Sequence, residues 1–249
     1  MATNDRQALV KALLQQVEHA RRTPGIKLPG ERELATSFGA SRTSVREVLG
    51  VLEALRVIER RPQSGIYVRS AGGEASIEAL VLQEAHDVRA TAASYAEAQE
   101  ARVLHEVEAV RLAVRRRTRA DLAAMRRIID ASRGSFAAGL NLAAADEAFH
   151  LALIAAAKND ILLRMTKSLY LMTRAVRQAY FEAPGHAAPS IAEHELLLAS
   201  VAERDGARAV LLMRRHYAGS SARWAKAHAA VQGSAARASA AGSGRTATR

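Results

Sequence analysis

Residues 28–68 read LPGERELATSFGASRTSVREVLGVLEALRVIERRPQSGIYV. Leu34, Ala35 and Phe38 fall on one helical face, and Val45, Val48, Leu49, Leu52 and Leu55 on a second. Gly39 stands between the two runs, where a tight turn favours a residue that tolerates positive φ. Ser41 is placed to cap the second helix. The stretch closes on RPQSGIYV, in which Ile66 and Val68 point one way and Tyr67 the other. A helix, a turn, a second helix and a two-stranded wing over about 57–68 are therefore expected.

This arrangement leaves Arg42, Thr43, Ser44 and Arg46 on exposed first turns, where a recognition helix meets base edges and phosphates. An arginine fork grips guanine or phosphate, and Thr and Ser are short donors for close approach. Arg32 starts the preceding helix near the same surface. Gln63, Ser64 and Gly65 form a tip small enough to enter a minor groove or lie along a phosphate ridge. With the cap residue Ser41, these nine are the DNA-binding candidates. For any one arginine a solvated basic face is an equal alternative, but the whole set points to double-stranded DNA.

The run resembles the winged helix-turn-helix of the GntR family of bacterial repressors. That pattern is LPSERELA, a segment like VSRTPVREAL and a glycine-containing wing; here the residues are LPGERELA, ASRTSVREVL and RPQSGIYV. The likeness covers about residues 8–69 and implies DNA contacts from Arg32, Arg42, Thr43, Arg46 and Gly65. Two positions depart from it. Gly30 replaces the usual Ser, which would cap the helix while Glu33 bonds back. Glycine at an N-cap costs only about a few tenths of a kcal/mol, so the helix should survive. Arg56 replaces the usual Gly before the wing, which puts the local turn geometry in question.

The 249 residues suffice for one large domain or two ordinary ones. Hydrophobic residues make up 49% and aromatics only 4%, with Ala, Leu, Val and Arg dominant, which favours packed helices over sheets. The net charge of +11 suits a polyanionic partner, although an arginine-rich bias gives the same number without one. The absence of cysteine excludes disulfides and thiolate metal sites and fits a reducing compartment. No signal-type core or membrane-length apolar run is present, so the expected location is the cytoplasm, on DNA.

Residues 7–22 carry Ala8, Leu9, Ala12, Leu13, Val17 and Ala20 at helical spacing, ended by Thr23, Pro24 and Gly25. A winged domain is placed at 1–70, a linker at 71–74, a helical bundle at 75–230 and a disordered basic tail at 231–249. Seven helices are expected near 75–87, 94–116, 119–137, 142–157, 160–182, 189–203 and 206–228. The fold class is mainly α.

In DEAFH, Asp146 and His150 lie four residues apart and share one helix face. Alone, that pair is more often a surface ion pair. His194 in AEHELLL and His216 in VLLMRRHYA also face inward on their helix patterns. Three imidazoles and one carboxylate from three helices suit zinc, nickel, manganese or iron. This half resembles the FCD effector domain of the FadR subfamily, on Glu100 with Arg102, Asp146 with His150, His194 and His216, over about 75–225. The resemblance implies a divalent metal site, zinc first, and gives Arg102 to an effector carboxylate; a structural ion pair with a nearby Glu is the equal alternative. His105 stands where an apolar residue is usual. His19, His86, His186 and His228 belong to no constellation, and Asn159 reads as a helix-ending cap.

The expected function is a repressor whose grip on a palindromic operator is set by a small carboxylate metabolite. The resemblance implies a homodimer, and two-fold symmetry, which doubles the readout, favours one as well. A metal-responsive regulator is the alternative. A metal-dependent hydrolase is remote, since Glu147 and Glu195 adjoin ligands in sequence but point about 100° away on a helix. A nucleoid-type binder with an idle second domain is remote as well.

Overall fold

A computed structural model describes residues 3–21, 27–69, 74–88 and 92–219, with 224, 227 and 229 beyond them. The chain forms two units, Met1–Thr91 and Ala92–Arg249. The first contains α1 (Thr3–Arg21), β1 (Lys27–Leu28), α2 (Glu31–Ser37), α3 (Arg42–Ala54), β2 (Ile58–Arg61), β3 (Gly65–Val68) and α4 (Ile77–Ala85). Its core is Leu9, Leu13, Leu14 and Val17 of α1 against Leu34, Val45, Leu49, Leu52, Val57 and Ile58.

The wing is three-stranded and antiparallel, in the order β1-β3-β2, where two strands were expected. β1 is only two residues long, too short to show a period of two in sequence. It is fixed by pairing Leu28 with Ile66, both buried.

The ends of α2 and α3 use one device. After α2, Gly39 N–H reaches Thr36 O and Ala40 N–H reaches Ala35 O. After α3, Arg56 N–H reaches Glu53 O and Val57 N–H reaches Leu52 O. Both are Schellman closures, which need a left-handed residue just past the helix. Gly39 adopts φ 60° freely, whereas Arg56 adopts φ 58° against its own Cβ. The turn geometry questioned by Arg56 is thus the glycine geometry, held under strain. Gly30 offers no side-chain cap, yet α2 forms, with Leu34 N–H on Gly30 O at 2.9 Å.

The expected linker at 71–74 falls inside the first unit, and α4, expected to open the bundle, packs on the winged core. Ala79 and Val88 join that core, Ser76 N–H bonds Leu55 O, and Gln83 Nε2 donates to Glu18 at 2.6 Å. An amphipathic helix carries no label for which neighbour it covers. Residues 71–73, the 231–249 tail, the Thr23–Gly25 stop and His228 lie outside the described residues.

The second unit is all helical: α5 (Ala92–Arg116), α6 (Arg119–Ala137), α7 (Ala143–Ala155), α8 (Asp160–Met172), α9 (Arg174–Glu182), α10 (Ala187–Ala202) and α11 over 206–219. Val110, Met125, Phe149, Leu153, Leu197, Val201 and Met213 fill its centre. Thr118 and Asp121 close a reciprocal capping box at the start of α6, as the break at Thr118 requires. The expected helix 160–182 is broken at Thr173, whose hydroxyl donates to Leu169 O at 3.0 Å, a local bond that competes with the helix ladder. Asn159 starts α8 rather than ending α7: its side chain accepts from Leu162 N–H, and Lys158 takes the left-handed conformation. The chain is therefore a winged helix-turn-helix head and an all-α bundle of seven helices among the described residues.

Candidate DNA-reading face and metal centre

Ser41 caps α3, its Oγ accepting from Ser44 N–H at 3.0 Å and lying 2.8 Å from Ser44 Oγ. The cap fixes the first turn, so Arg42, Thr43 and Arg46 stand exposed on one end of α3, with Arg32 exposed on α2. Arg46 is already engaged: its Nε and Nη2 donate to the Glu31 carboxylate at 3.1 and 2.8 Å. In the wing, Gln63 and Ser64 are exposed, and the Ser64 hydroxyl lies 2.7 Å from Tyr67 Oη. Gly65 has φ 136°, and a Cβ there would lie 2.3 Å from Lys27 Cε. The Arg61 guanidinium sits 4.5 Å from the Tyr67 ring centre. A groove of about 770 Å³ runs between wing and α2, lined by Lys27, Gly30, Glu31, Arg60, Arg61 and Ser64 among others. Sequence reading missed Glu31 and Lys27. Lys27 was out of reach because β1 was.

In the bundle, α7 brings Asp146 and His150, α10 brings His194 and α11 brings His216. One ligand atom from each lies within 4.8 Å of all the others. His150 Nε2 is 3.3 Å from His194 Nε2, and Asp146 Oδ1 is 3.7 and 3.6 Å from those two nitrogens. Ligands about 2.1 Å from one tetrahedral ion lie about 3.4 Å apart, which the separations among Asp146, His150 and His194 match, with a His216 ligand atom within 4.8 Å of them. Two of the three rings also meet a carboxylate outside the cluster, which supports the same reading. His150 Nδ1 is 2.5 Å from Glu106 Oε2, and His216 Nδ1 is 2.6 Å from Glu193 Oε2. A carboxylate accepts, so Nδ1 of His150 donates to Glu106 and Nδ1 of His216 donates to Glu193, a placement that orients both rings.

Glu106 is the hub that sequence reading missed. It is fully buried, and its Oε1 accepts from Tyr170 Oη at 2.9 Å and Tyr217 Oη at 2.5 Å. Arg102, equally buried, lies 3.6 Å from the same oxygen and donates to Tyr217 Oη at 3.1 Å. Burial alone would raise the Glu106 carboxyl; His150, Arg102 and the Tyr217 hydroxyl outweigh it and hold the group at about 2. Burial likewise opposes the charged His150, but Glu106 and Asp146 raise it above the usual imidazole value. His194 is held well below that value by burial first, then by His150 and His216, which keeps it neutral. Two guanidinium groups lie over the Tyr170 ring, Arg102 at 3.9 Å and Arg177 at 4.6 Å from its centre. One signal for Glu106 was available: Arg102, Glu106, Ala109 and Ala113 share a helix face on which the alanines are inward.

Arg102 thus makes the ion pair with a nearby Glu and also lines a cavity with Asp146, Ser190, His216 and Trp224. That cavity holds only about 20 Å³. His105 does not line it. Glu147 and Glu195, which adjoin cluster residues in sequence, pair instead with Arg177 and Arg133.

A match to bacterial regulatory proteins of the gntR family covers residues 6–68, and a match to the FCD domain covers 97–219. The HTH-type transcriptional regulator LutR of Bacillus subtilis is 34% identical over 211 residues, 80% of this chain and 92% of LutR. The chain belongs to the GntR family. It is a transcriptional regulator of FadR type with an FCD effector-binding domain, and not an enzyme. The galactonate operon transcriptional repressor of Escherichia coli is 28% identical, over 83% of this chain and 90% of that one. A solved structure described as Lar, which controls the Listeria monocytogenes agr system, shares the fold with a TM-score of 0.63, 17% identity and coverage of 91% and 98%. GntR-family regulators bind operator DNA, and FCD domains are often metal-associated. Among the described residues no helix is long and apolar enough to cross a membrane.

Proposed function

We propose that this regulator is a homodimeric cytoplasmic repressor that binds a palindromic operator through Arg32, Ser41, Arg42, Thr43, Ser44, Arg46, Gln63, Ser64 and Gly65. A small carboxylate metabolite, bound between Arg102 and a divalent ion held by Asp146, His150, His194 and His216, sets its operator affinity. Zinc is the first choice of ion, with nickel, manganese and iron as alternatives. The convergence of those four side chains beside a buried arginine carries this reading. When bound, the ion supplies a Lewis-acidic point for carboxylate oxygens. Glu106 and Glu193 orient the imidazoles, and Arg102 offers a second positive group. A cavity of about 20 Å³ admits little more than one water, so an organic acid must displace side chains. Trp224, Tyr180 and Phe181 wall that cavity and are the parts to move. Such movement shifts operator affinity only by the difference in acid affinity between the two states.

A relative named for repression of a galactonate operon supports repression and an acid signal. Apolar Leu104 on α5 and Ile161 and Met165 on α8 are exposed, which supports a subunit contact there. The test is fluorescence anisotropy of the metal-loaded protein on DNA from its own promoter, titrated with sugar acids and hydroxy acids. Salt-dependent binding weakened by one acid is expected, with the acid response lost after chelation or in His150→Ala. An acid response unchanged in His150→Ala sinks the effector site. A change in operator affinity on chelation alone favours the metal-responsive reading.

A further inference from the structure

A carboxylate on a surface built to meet phosphates opposes binding, so Glu31 needs a reason to be there. It opens α2, and its side chain is only 22% exposed beneath the α3 arginines. An exposed ion pair contributes little to stability, which makes stability a poor reason. The geometry gives a better one. Glu31 takes the Nε and Nη2 edge of Arg46, with contacts of 3.3 and 3.1 Å from Nε and 2.8 Å from Nη2. A guanidinium has five N–H groups in a planar fork. With that edge engaged, the Nη1–Nη2 edge remains for one acceptor pair, the arrangement that reads guanine O6 and N7. Arg60 lies 3.7 Å from the same carboxylate but is itself held by Glu53, Nε to Oε2 at 2.7 Å and backbone N–H to Oε1 at 3.1 Å. The Arg46 hydrogen bond is the first cause of a Glu31 carboxyl lowered from its usual value, so the clamp is charged at neutral pH.

We propose that Glu31 is a positioning residue for sequence recognition: it fixes Arg46 edge-on so that Arg46 reads one base pair, at the expense of general attraction to DNA. This rests on the placement of α3 on DNA given above. Without the clamp Arg46 swings to phosphates, which carry no sequence information. The protein then binds any duplex more tightly and its operator no better.

Glu33 provides the control, since it is the other acid in the first turn of α2 and makes no hydrogen bond with Arg46 among the described contacts. Glu31→Gln and Glu33→Gln remove the same charge from the same helix end. The full-length metal-loaded protein first selects an operator from a random duplex pool. Dissociation constants are then measured for that operator and for an unrelated duplex of equal length, at two salt concentrations. Glu31→Gln is expected to lower the operator-to-unrelated ratio about ten-fold while tightening binding to the unrelated duplex. Glu33→Gln is expected to tighten both duplexes alike and leave the ratio within about two-fold. Arg46→Ala is expected to lower the ratio, and adding Glu31→Gln to it to lower it no further. A ratio unchanged in Glu31→Gln but lowered in Arg46→Ala overturns the positioning role alone. Equal ratio losses in Glu31→Gln and Glu33→Gln also overturn it, because they reduce the effect to charge. A ratio unchanged in Arg46→Ala overturns the placement of α3 on DNA together with this proposal.

Discussion

Glu31 with Arg46 in the winged unit and Glu106 with Arg102 in the bundle pair the same chemical groups in opposite surroundings. Arg46 is exposed and makes contact with one carboxylate, leaving an edge free for a partner outside the protein. Arg102 and Glu106 are fully enclosed, and Glu106 is surrounded by two tyrosine hydroxyls and an imidazole. Water screens the first pair, so it adds little to stability while its outer edge stays open to a ligand. The second has no water to fall back on, so each member depends on all the others. One unit therefore keeps charges available, and the other locks them behind the rings of the His/Asp cluster.

Removing a member of the enclosed set should have the largest effect. Glu106→Ala leaves Arg102 and His150 buried without their carboxylate and is expected to destabilise the metal-free bundle by about 3–5 kcal/mol in denaturant unfolding. A loss below about 1 kcal/mol would show that the cluster is not the dry network described. The milder Glu106→Gln keeps the shape but not the charge, and zinc affinity, read by chelator competition, should fall about 10–100-fold. Equal zinc affinity in the two proteins would mean that the Glu106 contact does not tune His150.

On the winged side the effects are smaller and local. Ser41→Ala removes the α3 cap and is expected to cost about 1 kcal/mol in the stability of the first unit. Arg56→Gly relieves the left-handed strain and should raise that stability by a few tenths to about 1 kcal/mol. Destabilisation by Arg56→Gly would mean that the Arg56 side chain contributes more than its backbone strain removes. Glu31→Gln should leave the unfolding midpoint where it is, although it alters DNA selectivity. A large shift there would place Glu31–Arg46 with the enclosed pair and erase the contrast.

Much of the winged unit was legible because its reasons are local. Ser41 caps whatever follows it, Gly39 turns, and the inward faces of α2 and α3 show in the spacing of Leu34, Val45, Leu49 and Leu52. β1 was not legible, since two residues gain their conformation only from β3. The ownership of α4 was hidden for the same reason: Ala79 fits any apolar surface, and only packing chose α1 and α3. In the bundle, helix spacing put Asp146 and His150 on one face and His194 and His216 inward, and the resemblance to the FCD domain joined them into one set. That reading could not supply Glu106, Tyr170 and Tyr217, whose purpose exists only where α5, α8 and α11 meet.

The sequence by itself determined the class of each unit, the Ser41 cap of α3 and the residue types available to hold an ion. Those depend on backbone preferences and on spacing within single helices. The tertiary structure decided that Glu31 takes one edge of Arg46, that Glu106 sits behind His150, and that almost no space is left beside Arg102. Those facts depend on side chains from elements as far apart as residues 106 and 217, brought within 2.5 Å of each other by packing that no local pattern encodes.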